Sequence, residues 1–212
     1  MARPLQGLLK AVERAGIPVL TNQEVDEEFL TKVNPEVLIW AVGADAVKPP
    51  IEGLDDLPTL TSKDYYLGGR ELPGRRVLVL GGGLVGVEAA EKLALEGREV
   101  VVVEMLPAMG GSMEAVGKAL LMKRLAALSN VTLLTSTTVR RIGKEALELE
   151  TQEGPKSLSP VDAVLMAAGL QSKPLPETFR SIVPEVHVVG DAKAPRDVES
   201  AVQEGYEVGI AI

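Results

Sequence analysis

The chain has 212 residues, of which 46% are hydrophobic and 25% are charged, as is typical of proteins with a packed core. Its formal net charge of −8 argues against nonspecific binding to nucleic acid or to an anionic membrane surface. The sequence contains no cysteine and one histidine, which excludes disulfides, cysteine-bound iron–sulfur clusters and histidine metal sites within it. It also lacks a long apolar run and a signal-peptide pattern, so we predict a cytoplasmic protein.

The first part of the chain is predicted to contain two helices and one buried strand. Apolar residues at helical spacing favour a helix that ends at Gly16, and a second helical segment follows at about residues 24–33. The run at residues 37–42 is apolar throughout, which predicts a strand buried on both faces that ends at Gly43. Proline and glycine then punctuate the chain up to residue 74, which indicates a connection between two domains.

A glycine-rich turn between two predicted strands is the most informative motif of the chain. An apolar strand leads into a G-x-G-x-x-G turn made by Gly81, Gly83 and Gly86, and a helix-forming segment follows directly. A second apolar strand, at residues 100–103, ends on Glu104. Strand, helix, second strand and terminal acid together make the three-glycine pattern a dinucleotide-binding fingerprint. The alternative is a glycine-rich turn that binds nothing.

Each position of this turn has a predicted role toward a dinucleotide. Gly81 permits the tight turn, Gly83 lets the backbone approach the pyrophosphate, and Gly86 lets the helix pack closely on the strand. The pyrophosphate would lie on the free N–H groups and the positive dipole at the start of the new helix. Leu84 and Val85, which stand at that start, are therefore predicted to contact the cofactor.

Side chains beside the turn complete the predicted nucleotide site. Glu104, at the tip of the second strand, is placed to accept hydrogen bonds from an adenosine ribose, which favours NAD over NADP. Met105 is predicted to pack around the adenine edge, and filling of the core is an equally good explanation. Glu88, in the first turn of the helix, complements the helix dipole. We predict no metal ligand and no catalytic acid, base or nucleophile, since hydride chemistry belongs to the cofactor.

The pattern beyond the fingerprint continues the parallel sheet and then changes. A helix is predicted at about residues 112–128, with Ser112 as a plausible N-cap, and residues 131–134 read as a third parallel strand. Apolar residues then alternate with glutamates over residues 145–151, and a returning strand follows at Leu158. This predicts an antiparallel meander laid on the parallel sheet.

Two apolar strands with similar ends flank the fingerprint unit. The strand that ends at Gly169 repeats the pattern of the strand that ends at Gly43, and each is followed by a loop that contains proline. This repetition predicts that one domain is inserted into another. The chain would leave the outer domain after the first of these strands and return to it after the second. Gly169 would lie near the nicotinamide, because ligands of α/β proteins bind at the carboxyl ends of strands. After the return, Gly190 and Asp191 follow a last strand, where Asp191 by itself could simply be a turn or cap residue.

These residues resemble the glutathione-reductase-like flavoproteins, in which an NAD(P)H domain is inserted into a split FAD domain. The runs W-A-V-G-A at residues 40–44 and M-A-A-G at residues 166–169 are similar to the family's two crossover strands. V-V-G-D at residues 188–191 is similar to its C-terminal flavin motif. Residues 102–106 and 190–196 are most similar to the branch of 2,4-dienoyl-CoA reductase and trimethylamine dehydrogenase, which also carries an N-terminal FMN barrel with an iron–sulfur cluster.

The resemblance implies an α/β fold in which a Rossmann-like three-layer NAD-binding domain is inserted in a partial FAD-binding domain. Residues 1–74 would be part of the FAD-binding domain and a linker, residues 75–169 the NAD-binding domain, and residues 170–212 the C-terminal FAD-domain segment. NADH bound at the glycine turn would pass a hydride to FAD in the complete enzyme. The resemblance also assigns residues to the cofactors: Glu88 to the nicotinamide pocket, and Gly43, Gly190 and Asp191 to the flavin.

One departure from the family pattern affects the cofactor prediction. The family's first G-x-G-x-x-G, which cradles the FAD pyrophosphate, has no counterpart in residues 1–74. The chain therefore resembles part of a larger flavoenzyme, whose N-terminal FAD or FMN portion would be its partner. We expect it to bind NAD(H), to hold FAD weakly or not at all, and to form a homo-oligomer through its exposed sheet edge. The alternative function is a non-catalytic nucleotide-binding or assembly module that keeps a Rossmann site.

Overall fold

The computed structural model of the protein describes residues 2–111 and 113–212. Seven α-helices lie in these residues: α1 (Ala2–Arg14), α2 (Glu27–Val33), α3 (Ser62–Leu67), α4 (Leu84–Leu95), α5 (Ala115–Ala126), α6 (Glu177–Ile182) and α7 (Val198–Ala211). None of them reaches the length and apolarity that a membrane crossing needs.

Twelve β-strands lie in the same residues: β1 (Val37–Trp40), β2 (Ala44–Ala46), β3 (Thr59–Thr61), β4 (Arg76–Leu80), β5 (Glu99–Val103), β6 (Val131–Leu134), β7 (Thr138–Ile142), β8 (Leu147–Thr151), β9 (Gly154–Leu158), β10 (Ala163–Met166), β11 (Leu170–Ser172) and β12 (Glu185–Val188). Two short 3-10 helices, at Leu54–Asp56 and Gly190–Ala192, complete the described elements.

A five-stranded sheet forms the centre of the fold, with the strand order β3-β10-β4-β5-β6 and parallel pairing throughout. The inner strands are buried on both faces, which explains why β4 and β5 are continuous apolar runs in the sequence. Alternate residues of β4 face opposite layers: Val77 and Val79 pack against α4 and α5, whereas Leu78 and Leu80 pack on the other face. The predicted third parallel strand is confirmed as β6.

The second face of this sheet is covered by an antiparallel meander with the order β7-β8-β9. Its Ile142, Leu147 and Leu149 share one buried cluster with Leu78 and Val101 of the parallel sheet. Helices, parallel sheet and meander are therefore three layers, which confirms the predicted α/β fold and the predicted meander. The turn between β8 and β9 lies at residues 152–153, two residues before the Gly154-Pro155 pair that the sequence favours as a turn, because β9 already begins at Gly154.

Strands from the two ends of the chain pair with each other outside the central sheet. β1 and β12 are parallel neighbours, and one face of this pair packs against α2 and α6. Trp40 meets Phe179 edge to face, with ring centroids 5.7 Å apart. The prediction that residues 37–42 are buried on both faces was wrong, because Ile39 is 41% exposed and Val42 is 43% exposed. The helices cover only one face, and the pair has only two strands in the described part of the chain.

The two segments that follow Gly43 and Gly169 run side by side. β2 and β11 are antiparallel partners. Val47 donates its N–H to the carbonyl of Gly169 at 3.0 Å, and Lys173 donates its N–H to the carbonyl of Gly43 at 3.2 Å. The chain thus enters the central sheet after β2 and leaves it through β11, in one paired crossing.

Two predicted boundaries needed correction. The segment predicted as a connection up to residue 74 contains β3 and α3, and β3 is an edge strand of the central sheet. β3 has only three residues, which are too few to show the alternation of apolar and polar side chains that would predict a strand within this segment of prolines and glycines. The helix predicted from residue 112 begins at Ala115, and the Glu114 carboxylate caps it by accepting the N–H groups of Val116 and Gly117. The predicted cap, Ser112, lies outside the described residues.

Candidate dinucleotide-binding site

The glycine turn joins β4 to α4, and two of its glycines are required by the protein's own packing. Gly81 has φ +100°, a conformation that glycine adopts without steric penalty, and a Cβ there would overlap the carbonyl oxygen of Ala167. A Cβ at Gly86 would overlap the carbonyl oxygen of Gly81. The first turn of α4 can therefore approach β4 only with glycine at these positions.

Gly83 differs from both, because it faces open space. No described atom lies within 4 Å of the position that its Cβ would take. Val87 donates its N–H to the carbonyl of Gly83 at 3.0 Å, and the N–H groups before such a first bond have no partner within the helix. They carry the positive end of the helix dipole, so this turn has the geometry that binds a phosphate.

Glu104 lies beneath the turn rather than beside it. Its side chain is buried, and the whole residue is only 8% exposed. One carboxylate oxygen, Oε2, accepts the N–H of Gly82 at 2.7 Å, and the other, Oε1, accepts the N–H of Leu106 at 2.8 Å. A carboxylate has about four lone-pair positions, so these two bonds leave acceptor capacity for a ribose hydroxyl.

The loop after β5 folds over the turn. Gly110 donates its N–H to the carbonyl of Gly82 at 2.6 Å, and Met109 is buried against the same residue, so that a Cβ at Gly82 would overlap the Met109 sulfur. The sequence reasoning missed Gly82 and Leu106. The available signal was the third consecutive glycine, at position 82, which the G-x-G-x-x-G pattern does not require.

A cavity of about 560 Å³ opens above the turn. Its walls come from residues 49–51, the glycine turn, residues 103–106, residues 137–139 and residues 167–169. It lies where the strand order reverses, since the chain continues from β4 to β5 and β6 on one side and places β10 and β3 on the other. Ligands of open α/β sheets bind at such a switch point, outside the carboxyl ends of the strands.

The cavity brings together five of the sequence-predicted residues: Gly81, Gly83, Glu104, Met105 and Gly169. Other predicted residues lie outside its lining. Gly86 is buried beneath the turn, while Leu84 and Val85 are exposed on the outer side of α4. Glu88 is exposed on the same helix. The partial burial of Tyr66 and, after it, the charge of Glu88 raise the pKa of Tyr66.

Gly43, Gly190 and Asp191 belong to the part of the fold built from the two chain ends. Asp191 lines a separate open cavity of about 350 Å³ beside the start of α7. Its Oδ1 accepts the N–H of Arg196 at 3.2 Å, and its carbonyl accepts the Ser172 hydroxyl at 2.9 Å. Gly43 lies at the paired crossing, outside the lining of both cavities.

A residue that the sequence reasoning missed holds the Gly190–Asp191 turn. Glu204, in the middle of α7, accepts the N–H of Gly190 on Oε2 at 2.8 Å, and its other oxygen pairs with Arg196. The Gly190 N–H and then the Arg196 guanidinium lower the pKa of Glu204. Nothing in the sequence indicated this contact, because the two partners are 14 residues apart and in different elements.

A sequence profile described as pyridine nucleotide-disulphide oxidoreductase matches residues 7–205, nearly the whole chain. The chain belongs to the pyridine nucleotide-disulphide oxidoreductase family. This family member spans about a third of the length of the curated relatives that it matches.

Among those relatives, bilirubin reductase of Mediterraneibacter gnavus is 35% identical over 208 residues, which are 97% of this chain and 32% of the relative. NADH oxidase of Thermoanaerobacter brockii is 29% identical over 93% of this chain and 31% of its own length. The solved structure of 2-naphthoyl-CoA reductase with 2-naphthoyl-CoA superposes with a TM-score of 0.81 at 27% identity, covering 96% of this family member and 31% of that chain.

Proposed function

We propose that the chain is the pyridine-nucleotide-binding part of a flavin-dependent oxidoreductase and that it positions NADH for hydride transfer to FAD in the complete enzyme. The observation that carries this proposal is the glycine turn: Gly83, whose Cβ position is open, lines the cavity at the switch point and is followed directly by the first amides of α4, which have no partner within the helix. The family assignment and relatives named NADH oxidase, bilirubin reductase and cinnamate reductase support it.

In this proposal the dinucleotide lies across the switch point. The adenosine half lies over β5, where Met105 packs at the adenine edge and Glu104 accepts the ribose hydroxyls, so that NAD is preferred over NADP. The nicotinamide half lies on the β10 side, near Gly169. The five walls of the cavity span both halves, which supports this orientation.

The chain's own residues bind and orient, and none of them acts as an acid, base or nucleophile. When bound, NADH supplies the hydride and FAD accepts it. Leu84, Val85 and Glu88 form the outer side of the turn that faces the flavin portion, and Glu88 lies beside the nicotinamide. Gly190 and Asp191 contact the flavin from the other part of the fold.

We also propose a domain division, which the pairing of the elements supports. The NAD-binding domain comprises residues 75–169 together with β3 and α3. The rest of residues 1–74 and residues 170–212 contribute to the FAD-binding domain. The pairing of β1 with β12 and of β2 with β11 supports this division, because each pair joins the two flanking segments.

The branch of the family and the partners belong to the same proposal. We place the chain with the 2,4-dienoyl-CoA reductase and trimethylamine dehydrogenase branch, and the likeness to 2-naphthoyl-CoA reductase supports this. Since the matched relatives are about three times as long, further portions that hold FAD or FMN would act with this chain. That the chain forms a homo-oligomer stays a prediction, motivated by large exposed apolar side chains such as Val202, Tyr206 and Ile210 of α7.

Replacement of Gly83 by valine tests the proposed function. The valine side chain would stand where the pyrophosphate must approach, so Gly83→Val should weaken NADH binding by at least about tenfold, a loss of about 1.4 kcal/mol. The fold should be unaffected, because the position is open. Isothermal titration calorimetry measures the affinity and circular dichroism the fold.

The matched control is Gly209→Val, in α7, which is equally open and far from the turn in sequence. It should leave NADH affinity unchanged. The proposal fails if the unaltered chain does not bind NADH, or if Gly83→Val binds it as tightly as the unaltered chain with the same circular dichroism spectrum. Binding without any hydride transfer in the complete protein would favour the non-catalytic module instead.

A further inference from the structure

The buried carboxylate of Glu104 joins two loops that both border the cavity. Its Oε2 accepts the N–H of Gly82, in the glycine turn, and its Oε1 accepts the N–H of Leu106, in the loop after β5. The carboxylate is thus shared between the element that would face the pyrophosphate and the element that would face the adenosine. Both bonds have a charged acceptor and are among the stronger hydrogen bonds of proteins.

The peptide groups of Gly82 are held from both sides. Its N–H is directed inward to Glu104, and its carbonyl accepts the N–H of Gly110 at 2.6 Å. The Met109 side chain fills the space over its Cα. Because the orientation of Gly82 is set in this way, the place of the following residue is set as well, and that residue, Gly83, lines the cavity and leads into α4.

Glu104 is itself held by backbone bonds at the end of the sheet. Its N–H donates to the carbonyl of Leu134 at 2.8 Å, and its carbonyl accepts the N–H of Thr137 at 3.0 Å. Its backbone therefore cannot move far without breaking the link between β5 and β6. Through its hydrogen bond to Gly82, the carboxylate holds the glycine turn in place relative to the sheet. The three consecutive glycines have no side chains of their own that could do this.

We propose that Glu104 is a positioning residue for the whole glycine turn, so that affinity for any dinucleotide depends on it and not only the choice between NAD and NADP. This inference rests on the proposed nucleotide-binding function. A residue that acts only at the ribose, by accepting its hydroxyls and repelling a 2′-phosphate, would weaken NADH binding and strengthen NADPH binding when it is neutralised, and would leave the exchange of the turn amides unchanged. A residue that holds the turn would weaken both nucleotides together.

Two substitutions separate charge from reach. Glu104→Gln removes the charge and offers one acceptor oxygen for two amides, so either Gly82 or Leu106 loses its partner. Glu104→Asp keeps the charge that would repel a 2′-phosphate, but its shorter side chain cannot span both amides. The matched control is Glu114→Gln, which also removes a carboxylate that accepts two backbone N–H groups, at the start of α5 and outside the cavity lining.

The experiment measures the dissociation constants of NADH and NADPH by calorimetry and the hydrogen exchange of the Gly82 and Leu106 amides by NMR without nucleotide. We expect Glu104→Gln and Glu104→Asp each to weaken NADH binding by about tenfold or more, with NADPH binding weakened where it is measurable. We also expect faster exchange at the two amides, and no change of either kind in Glu114→Gln.

Unchanged exchange of the Gly82 and Leu106 amides in both variants would overturn the inference even if NADH binds more weakly, because loss of the ribose contact alone explains that. Tighter NADPH binding by Glu104→Gln would overturn it as well. If the unaltered chain binds neither nucleotide, the proposed function fails, and the amide exchange of the variants still decides whether Glu104 holds the turn.

Discussion

At the scale of single residues, the three glycines of the turn are required for two different reasons. Gly81 and Gly86 are constrained by the protein itself, because a side chain at either position would overlap a backbone carbonyl. A Cβ at Gly83 would meet no atom of the described residues beyond its chain neighbours, so packing does not require glycine there, whereas the approach of a pyrophosphate would. A substitution at position 86 should therefore lower the stability of the fold, whereas one at position 83 should weaken nucleotide binding and leave the stability unchanged.

Gly86→Ala should destabilise the fold. The added methyl group would overlap the Gly81 carbonyl oxygen, and overpacking of this kind costs about 1–3 kcal/mol. This cost acts against the gain of about 1 kcal/mol that alanine has over glycine within a helix. Urea denaturation should show a lower unfolding free energy for Gly86→Ala, whereas Gly209→Ala, in an open position of α7, should be neutral or stabilising. A Gly86→Ala variant as stable as the unaltered chain would contradict the close packing described for α4.

At the scale of elements, the strands that are short or covered on one side were the ones predicted least well. β3 has three residues and went unnoticed, and β1 was expected to be buried on both faces. Long elements with a strong pattern, such as β4, α4 and β5, were predicted with their order and type. The start of β4 depends on a contact that no local pattern indicates: the Asp162 carboxylate accepts the N–H groups of Arg75 and Arg76 at 2.6 and 2.7 Å.

The Asp162 contact should make stability depend on pH in the acidic range. The N–H groups of Arg76 and Arg75 lower the pKa of Asp162 below its ordinary value of 3.8. A lowered pKa in the folded state contributes stability that is present above the unfolded pKa and is lost as the pH falls through the folded pKa. Asp162→Asn should therefore cost about 1 kcal/mol near neutral pH, less than a buried charged hydrogen bond is worth, because the site is exposed and screened by solvent.

Denaturation of Asp162→Asn and of the unaltered chain at several pH values measures this effect. The difference between their unfolding free energies should be constant from neutral pH down to about pH 5 and shrink at lower pH. Asp45→Asn, which alters an exposed aspartate paired with Lys173, serves as the control and should cost little at any pH. A difference that does not change with pH would show that the Asp162 charge plays no part.

At the scale of the whole molecule, the fold has a complete three-layer unit and a second, open part. The central sheet is covered by helices on one face and by the meander on the other. The part that contains β1, β12 and α7 leaves large apolar side chains exposed, and α7 has no buried residue in the described part of the chain. The two parts should therefore differ in their capacity to hold a dinucleotide.

The chain should bind NADH but retain little or no FAD. A dinucleotide needs its pyrophosphate anchored on a glycine-rich turn from strand to helix, and within the described residues that turn is the one between β4 and α4. In the proposed function, the Gly190–Asp191 turn would add only a small contact to the flavin. Flavin absorbance of the purified chain and a titration with FAD measure retention and affinity. Near-stoichiometric FAD in the purified protein would contradict this prediction.

The sequence by itself determined the class of the fold, the order of strand, glycine turn, helix and strand, and the positions of Gly81, Gly83 and Gly86. These features are encoded in contiguous residues, because apolar periodicity and the spacing of glycines in a short turn are local properties. Only the tertiary structure decided that β3 joins the sheet, that Asp162 holds the start of β4, and that Glu104 binds the amide of Gly82. These contacts join residues 22 or more positions apart, so no local pattern contains them, and they exist only once the sheet has brought its strands together.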